Sequence, residues 1–303
     1  MQQIRSALSL FNGISGLHLA LDKAQINVEQ VYYSEIDKFA NKVTEQHYPN
    51  DVALGDVTKW KEWDIDWSSV DLVSAGFPCQ AWSVAGKQLG DKDERGMLFW
   101  TTLNIIKTVL EHNPKAKFLM ENVKMKKDFE EYITYHTTEA LGYVEKTLIN
   151  SALVSAQNRN RYYWTNFKVT QPEDKLILLR DILELPFDKK YNLSNDAVTR
   201  FKECNRTSVG QIGTTAREGT IGQRDRVYDA YGKMVTLTAT IYKQPPQYKI
   251  CGLLRKLTPL ECERLQTLPD NWTDCISKTQ RYKSTGNGWT IDVIVHILKC
   301  SFK

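Results

Sequence analysis

The chain has 303 residues, 42% of them hydrophobic and 25% charged, and a formal net charge of +4. That is enough to bury one large core, or one large and one small, with the composition of an ordinary globular protein. The small positive excess agrees with an anionic partner without requiring one. Six cysteines (79, 204, 251, 262, 275 and 300) form no C-x-x-C pair, which argues against a zinc framework and a secreted disulfide scaffold. The opening MQQIRSALSLFNG holds a five-residue apolar run, too short for a signal peptide, and no later run is long enough to span a membrane. The expected compartment is intracellular and reducing.

In chain order, ALSLF (7–11) reads as a short apolar strand ended by NGISG, and LHLALDKA (17–24) has helical spacing. VEQVYYSEI (28–36) is strand-like and DKFANKVTEQHY (37–48) helical. VALGDV (52–57) and DLVSAG (71–76) predict further strands. MLFWTTLNIIKTVLEH (97–112) predicts an amphipathic helix and KFLMEN (117–122) a strand. A helix near 128–140 and a strand at 143–150 complete the series. This alternation predicts an α/β fold, a parallel sheet with helices on both faces. Beyond about residue 168 the pattern degrades, and 203–226, rich in Gly, Thr and Arg, predicts a small irregular second domain. GNGWTIDVIVHILKC (286–300) then returns to helical amphipathicity and is expected to pack back on the first domain.

Ligands of an open parallel sheet bind beyond the carboxyl ends of its strands. Five features fall at those ends in succession: Phe11-Asn12-Gly13, Glu35, Asp56, Gly76 to Cys79, and Glu121-Asn122. Though far apart in sequence, they are expected to face one crevice. F-N-G-I-S-G offers glycines for a tight turn and a following helix N-terminus, but lacks the full G-x-G-x-x-G of a pyrophosphate binder. Glu35 follows Gly16 at about the interval at which an acidic residue meets a ribose hydroxyl pair. Together they suggest an adenosine-bearing ligand without a pyrophosphate, which S-adenosylmethionine fits. A plain strand-to-helix turn, and a helix-capping role for Asp56, stay open.

Cys79 lies past the end of its apolar run, behind Pro78, which fixes its own backbone and biases Phe77 towards an extended conformation. Cysteine attacks as thiolate, which a nearby cation favours. An inert loop cysteine is the alternative. Glu121 ends an apolar strand, where a carboxyl partly desolvated by Phe118, Leu119 and Met120 is a candidate acid; a capping or surface glutamate is equally open. SAQNRNRYYW (155–164), if extended, sets Arg159 and Arg161 on one face, an arrangement suited to phosphate or carbonyl recognition or simply to solvent.

In order, FNGISG, SEID, GDV, GFPCQAWSVAGKQ, RGMLFW, MENV, QNRNR, RKLTPLECERLQ and GNGWTIDVI resemble the motifs of the DNA (cytosine-5)-methyltransferases, over nearly the whole chain. The resemblance implies a Rossmann-like S-adenosylmethionine-dependent methyltransferase sheet (1–178), a small target-recognition domain (179–280) and a C-terminal helix returning to the catalytic domain (281–303). It implies methyl transfer from S-adenosylmethionine to carbon 5 of a cytosine flipped out of a specific duplex DNA sequence. Cys79 would be the nucleophile at carbon 6, Glu121 would hold or protonate ring nitrogen 3, and Arg161, with Arg159 behind it, would grip the base's carbonyl and help keep Cys79 ionised. The cofactor set carried over is Phe11, Gly13, Gly16, Glu35, Ile36, Asp56, Val57, Pro78 and Asn287. The DNA set is Ser83, Gln223, Arg224, Arg226 and Thr236, with Gln223 filling the hole left by the flipped base and Thr236 on the adjacent phosphate.

Two departures stand out: Ser15 where the family often has glycine, and G-N-G-W in place of the commoner G-N-S-V, which leaves Gly288 and Trp289 undefined as contacts. A tRNA-methylating branch with P-P-C and C-F-T signatures fits less well, since this chain has Phe77-Pro78-Cys79 and no C-F-T. The remaining implications are a cytoplasmic monomer of bacterial or phage type, double-stranded DNA as partner, no metal, and a cognate restriction endonuclease where the enzyme serves a restriction–modification system.

Overall fold

The computed structural model describes residues 2–78, 94–204, 210–217 and 225–302. Their contacts divide into two compact units: 1–149 with 160–171 and 294–303, and 150–159 with 172–293.

The first unit contains β1 (Gln2–Leu10), α1 (Gly16–Ala24), β2 (Ile26–Ser34), α2 (Lys38–His47), β3 (Val52–Gly55), β4 (Val70–Ala75), α3 (Glu94–His112), β5 (Lys117–Val123), α4 (Lys127–Leu141), β6 (Glu145–Asn150) and, past the two-residue β7 (Gln157–Asn158), β8 (Asn160–Thr165). One seven-stranded sheet runs in the order β3-β2-β1-β4-β5-β8-β6. The five strands from β3 to β5 pair in parallel. β8 runs antiparallel to β5, so the expected all-parallel sheet is mixed at this side. The short return from β6 carries no crossover helix, which a parallel neighbour would need.

The strand order turns at β1, with β2 and β3 to one side and β4 and β5 to the other. Right-handed crossovers therefore put α1 and α2 on one face and α3 and α4 on the opposite one. The α3 and α4 side is filled by Phe99, Leu103, Ile106, Val109 and Ile133 against Leu8, Leu10, Val73, Phe118 and Met120, all buried. β1 begins five residues before the expected start because its first half alternates exposed and buried, hiding it from a search for continuous apolar runs.

The second unit holds α5 (Asn195–Thr199), β9 (Lys202–Glu203), β10 (Gln211–Thr214), β11 (Arg226–Asp229), β12 (Met234–Val235), β13 (Gln247–Ile250), β14 (Leu253–Lys256), α6 (Pro259–Leu265) and α7 (Lys278–Asn287). A five-stranded sheet β14-β13-β11-β10-β9 replaces the expected irregular region; its strands of two to four residues are too short to leave a periodic signature. β12 pairs with β7 in parallel. The helix expected over 286–300 is broken: α7 ends at Asn287 and α8 (Ile291–Ser301) starts after Gly288, Trp289 and Thr290. Residues 294–301 of α8 belong to the first unit.

The amino end of the first sheet is tied by a bulge. Ser6 pairs with Val70 but Ala7 with Leu72, leaving Asp71 as the extra residue. Its carboxylate accepts from the Arg5 backbone N–H (2.8 Å), from Arg5 Nη2 (2.6 Å) and from Asn113 Nδ2 (3.0 Å). Burial works to raise the Asp71 pKa, but the hydrogen bonds and charge of Arg5 and the bond from Asn113 outweigh it and hold the carboxyl below its usual range. A depressed folded pKa contributes stability that is present above the ordinary value of about 3.9 and is lost as pH falls through the folded one. Asp71→Asn is expected to cost about 1 kcal/mol at pH 7, modest because Arg5 is half exposed, with native and variant proteins converging below about pH 3. Urea denaturation at the two pH values measures this, and an undiminished gap in acid would contradict it.

Candidate active site

Strand register fixes the rim of the first unit. Leu10 is paired with Ser34 on one side and with Ala75 on the other; Ser34 is paired with Gly55, and Ala75 with Met120. The next residue on each strand is Phe11, Glu35, Asp56, Gly76 or Glu121. Adjacent strands lie about 4.8 Å apart, so these five residues form a row about 19 Å long across the carboxyl ends of the sheet. The row crosses the point where the strand order turns, the usual ligand crevice of an open α/β sheet.

On the β1 side, the loop after Leu10 takes left-handed backbone at Phe11, Gly13 and Ser15 (φ 55°, 56° and 62°). Ser15 thus has the conformation that favours glycine, and its hydroxyl compensates. Ser15 Oγ donates to Thr44 Oγ1 on α2 (2.8 Å), and Asn12 Nδ2 bonds to both hydroxyls (3.3 and 3.1 Å) within the buried interior. The loop is therefore anchored to α2 by three polar side chains, none of which is a glycine of the motif. Gly16 is the first residue of α1 and is buried.

Glu35 organises the next loop. Its Oε2 accepts from the Gly13 N–H (2.8 Å), and Oε1 accepts from the N–H groups of Ile36 and Asp37 (2.8 Å each). Two acceptor positions per oxygen leave Oε2 one still open. Beside it the Ile36 side chain is 77% exposed, an apolar surface uncovered at a strand end. Asp56 caps the 3-10 turn that begins at the buried Val57; Oδ1 accepts from the N–H and hydroxyl of Thr58 (2.8 and 2.9 Å), while Oδ2 has no partner among the described residues. The Glu35 carboxylate just past β2, the exposed Ile36 side chain and the Asp56 carboxylate just past β3 set acceptors and an apolar surface along one edge. They offer nothing to neutralise a pyrophosphate.

On the other side of the turn point, Phe77 is buried against Phe99 (ring centroids 5.5 Å apart), and its carbonyl accepts from Asn122 Nδ2 (3.1 Å). Asn122, 1% exposed, also accepts the Val123 N–H through Oδ1 (2.8 Å). The strand end of β5 thereby pins the backbone that leads into the half-buried Pro78. Cys79 and Ser83, the next expected site residues, lie outside the described residues, as do Gln223 and Arg224.

Glu121 sits opposite Tyr163 in the β5–β8 pair, and Arg161 opposite Val123. Glu121 and Arg161 are therefore diagonal neighbours on one face of the sheet. Arg161 Nε lies 3.0 Å from Glu121 Oε1, with both side chains about nine-tenths buried. Arg161 Nη1 donates to the Asn160 carbonyl (2.9 Å); Nη2 has no partner among the described residues. The pair sets a carboxyl and a guanidinium side by side.

Arg159 has a different setting. It is 3% exposed, and its guanidinium donates to the carbonyls of Leu237 (2.8 Å), Gly288 (2.9 Å) and Gly286 (3.4 Å) within the second unit. Thr236, half-buried, donates to the Asn158 carbonyl (2.5 Å), and Arg226 is half-buried on β11. Asn287 ends α7 with its side chain exposed and no hydrogen bond among the described residues. Two positions escaped the sequence reading, Thr44 and Gln157, whose Oε1 accepts the Leu237 N–H (2.7 Å), while Asn122 was named there on the rim beside Glu121 without its bond to Phe77. Only their burial marks them, and a polar residue in a short segment carries no sign of that.

An open α/β sheet with carboxylates and a buried carboxyl–guanidinium pair along one rim defines an α/β protein whose polar rim lies at the carboxyl ends of its strands. Comparison gives the family: the chain belongs to the C-5 cytosine-specific DNA methylases, whose model matches residues 6–303. It is 35% identical over 310 residues to the type II methyltransferase M1.ScrFI of Lactococcus lactis subsp. cremoris, covering 95% of this chain and 75% of that one. It is 33% identical over 317 residues to the type II methyltransferase M.HhaI of Haemophilus parahaemolyticus, covering 96% and 92%. Among solved structures, the Entamoeba histolytica methyltransferase EhMeth superposes with a TM-score of 0.73 at 16% identity, covering 99% of this chain and 98% of that one. The S. pombe Dnmt2 methyltransferase does so at 0.67 and 17%, covering 98% of each. These last two likenesses define the fold, that of the methyltransferases.

Asn122→Ala would leave the buried Phe77 carbonyl without its donor. A loss of about 1–3 kcal/mol in denaturant stability is expected. An unchanged denaturation midpoint would remove Asn122 as the anchor of Phe77.

Proposed function

We propose that this DNA cytosine-5 methyltransferase takes its methyl group from S-adenosylmethionine and works through a covalent bond between Cys79 and carbon 6 of a cytosine flipped out of duplex DNA. The observation that carries the reading is the register row, which aligns the Glu35–Ile36–Asp56 crevice with the Glu121–Arg161 pair. When bound, S-adenosylmethionine supplies an electrophilic methyl on a sulfonium. Glu35 would hold the ribose, Ile36 and Phe11 the adenine faces, and Asp56, with Val57, the adenine amine. Gly13, Gly16 and Pro78 would line the remaining wall, and Asn287 would contact the methionine end.

Carbon 5 of cytosine is too electron-poor to take a methyl group directly. The Cys79 thiolate adds to carbon 6, and the electron pair of the 5,6 double bond becomes available at carbon 5. Glu121 holds or protonates ring nitrogen 3, and Arg161 donates to the base's carbonyl, so charge arriving on the ring is stabilised as the bond forms. Once carbon 5 has gained its methyl group, its proton leaves to a base, the 5,6 double bond re-forms and the sulfur–carbon bond breaks to return the thiolate. A stacked base is out of reach of such a pocket, and flipping costs a few kcal/mol.

Within the second unit, Arg226 and Thr236, with Gln223, Arg224 and also Ser83 from the first, are the proposed DNA contacts, and residues 179–280 the target-recognition region. We place the enzyme in the cytoplasm as a monomer. The type II names of its relatives make a restriction–modification setting, with a cognate endonuclease, the natural one.

Duplex DNA carrying 5-fluorocytosine tests the covalent step, because fluorine cannot leave as the proton does. A denaturation-resistant adduct is expected with the native protein and S-adenosylmethionine, and none with Cys79→Ala. Active protein that forms no adduct, or a Cys79→Ala variant that still methylates, would overturn the mechanism. Glu121→Gln is expected to lower kcat by about 10²-fold or more with DNA binding retained; near-normal turnover would remove its role.

A further inference from the structure

We infer that Arg159 is a positioning residue that joins the DNA-contacting segment 236–238 to the Asn287 loop, so that both are held in one arrangement. The inference rests on the proposed contacts of Thr236 with phosphate and of Asn287 with the methyl donor.

The geometry is a bracket. Gln157 Oε1 accepts the N–H of Leu237 while Arg159 Nη1 donates to the carbonyl of that residue, at 2.7 and 2.8 Å. Both polar groups of one residue are thus captured by two side chains from a single short strand segment. β7 also pairs with β12, and Thr236 Oγ1 donates to the Asn158 carbonyl, so 234–238 lies along 156–159 as on a template.

The same guanidinium reaches across to the residues on either side of Asn287. Nη2 donates to Gly288 at 2.9 Å and to Gly286 at 3.4 Å. These carbonyls lie at the C-terminal end of α7, where carbonyls have no helical N–H donor. Gln266 supports the same corner, donating to the Thr285 carbonyl at 2.6 Å and the Gly288 carbonyl at 3.3 Å. The backbones are in direct contact there: a Cβ added at Gly286 would meet the Thr238 carbonyl oxygen at 2.2 Å. One buried, planar, multi-donor cation is therefore shared between two segments that touch. A lysine, a point charge on a flexible stem, cannot hold that fork.

Arg159→Lys keeps the buried charge and loses the planar donor set. Amide hydrogen exchange by mass spectrometry is expected to speed up at least tenfold in peptides covering both 234–240 and 284–290, with the 2–10 strand unchanged. In steady-state assays on long unmethylated duplex DNA of mixed sequence, KM for DNA and KM for S-adenosylmethionine are each expected to rise at least tenfold, with a smaller fall in kcat. A fall in kcat at unchanged KM values would show Arg159 acting on the reacting base, and loosening of one segment alone would show no joint; either overturns the inference. Arg159→Gln, neutral but still a donor, carries the same expectations should the lysine form fail to fold. An inactive native protein would refute the proposed function while leaving the exchange result to decide the bracket.

Discussion

The site depends on one register row. Gly55, Ser34, Leu10, Ala75 and Met120 are mutually paired across five parallel strands. Whatever follows them is forced onto one edge. Slipping any of these strands by one residue would turn its side chains to the opposite face and move its terminal residue out of line. Burial constrains the register from both faces: Leu8, Leu10, Val73, Ala75 and Phe118 on one, and Ala7, Leu72 and Leu119 on the other, are fully or almost fully buried. Hydrophobic packing thus places an aromatic residue, a glycine and three carboxylates, spread from Phe11 to Glu121, on one edge.

Polar chemistry then refines what packing places. Glu35 draws the Gly13 loop towards β2 and orders the entry to α2 through three N–H groups, so the carboxylate proposed to bind ribose also builds its own loop. Asn122 does the equivalent for the approach to Cys79. Such residues couple the shape of the pocket to its chemistry, because the same atoms serve both.

Arg159 and Arg161 show how little sequence proximity says about role. Two residues apart in one extended segment, they belong to different compact units. Arg161 meets a carboxylate across a strand pair, and Arg159 donates to the backbone carbonyls of Leu237 and Gly288. Period-2 alternation predicts their side; it says nothing of what lies opposite each. The rim residues after β1, β2, β4 and β5 were legible in the sequence because strands with four or more buried residues announce their ends, and Asp56, after a β3 with no buried residue, was legible from the apolar letters of VALGDV. The short strands around 202–256 were not, and neither was the break at Gly288, since 286–300 reads as one amphipathic run until the close approach of Thr238 to Gly286 is seen. The αL backbone of Ser15 was half-legible: the departure from glycine was visible, and the Thr44 hydroxyl that makes it tolerable was not.

The most direct test of the central claim is the chemical identity of the product. Duplex DNA and transfer RNA are each incubated with the protein and isotopically labelled S-adenosylmethionine, then digested to nucleosides and analysed by mass spectrometry. Label is expected in 5-methyl-2′-deoxycytidine from the duplex and none in the RNA. Label on the exocyclic nitrogen of cytosine, on adenine, or in the RNA alone would contradict the claim.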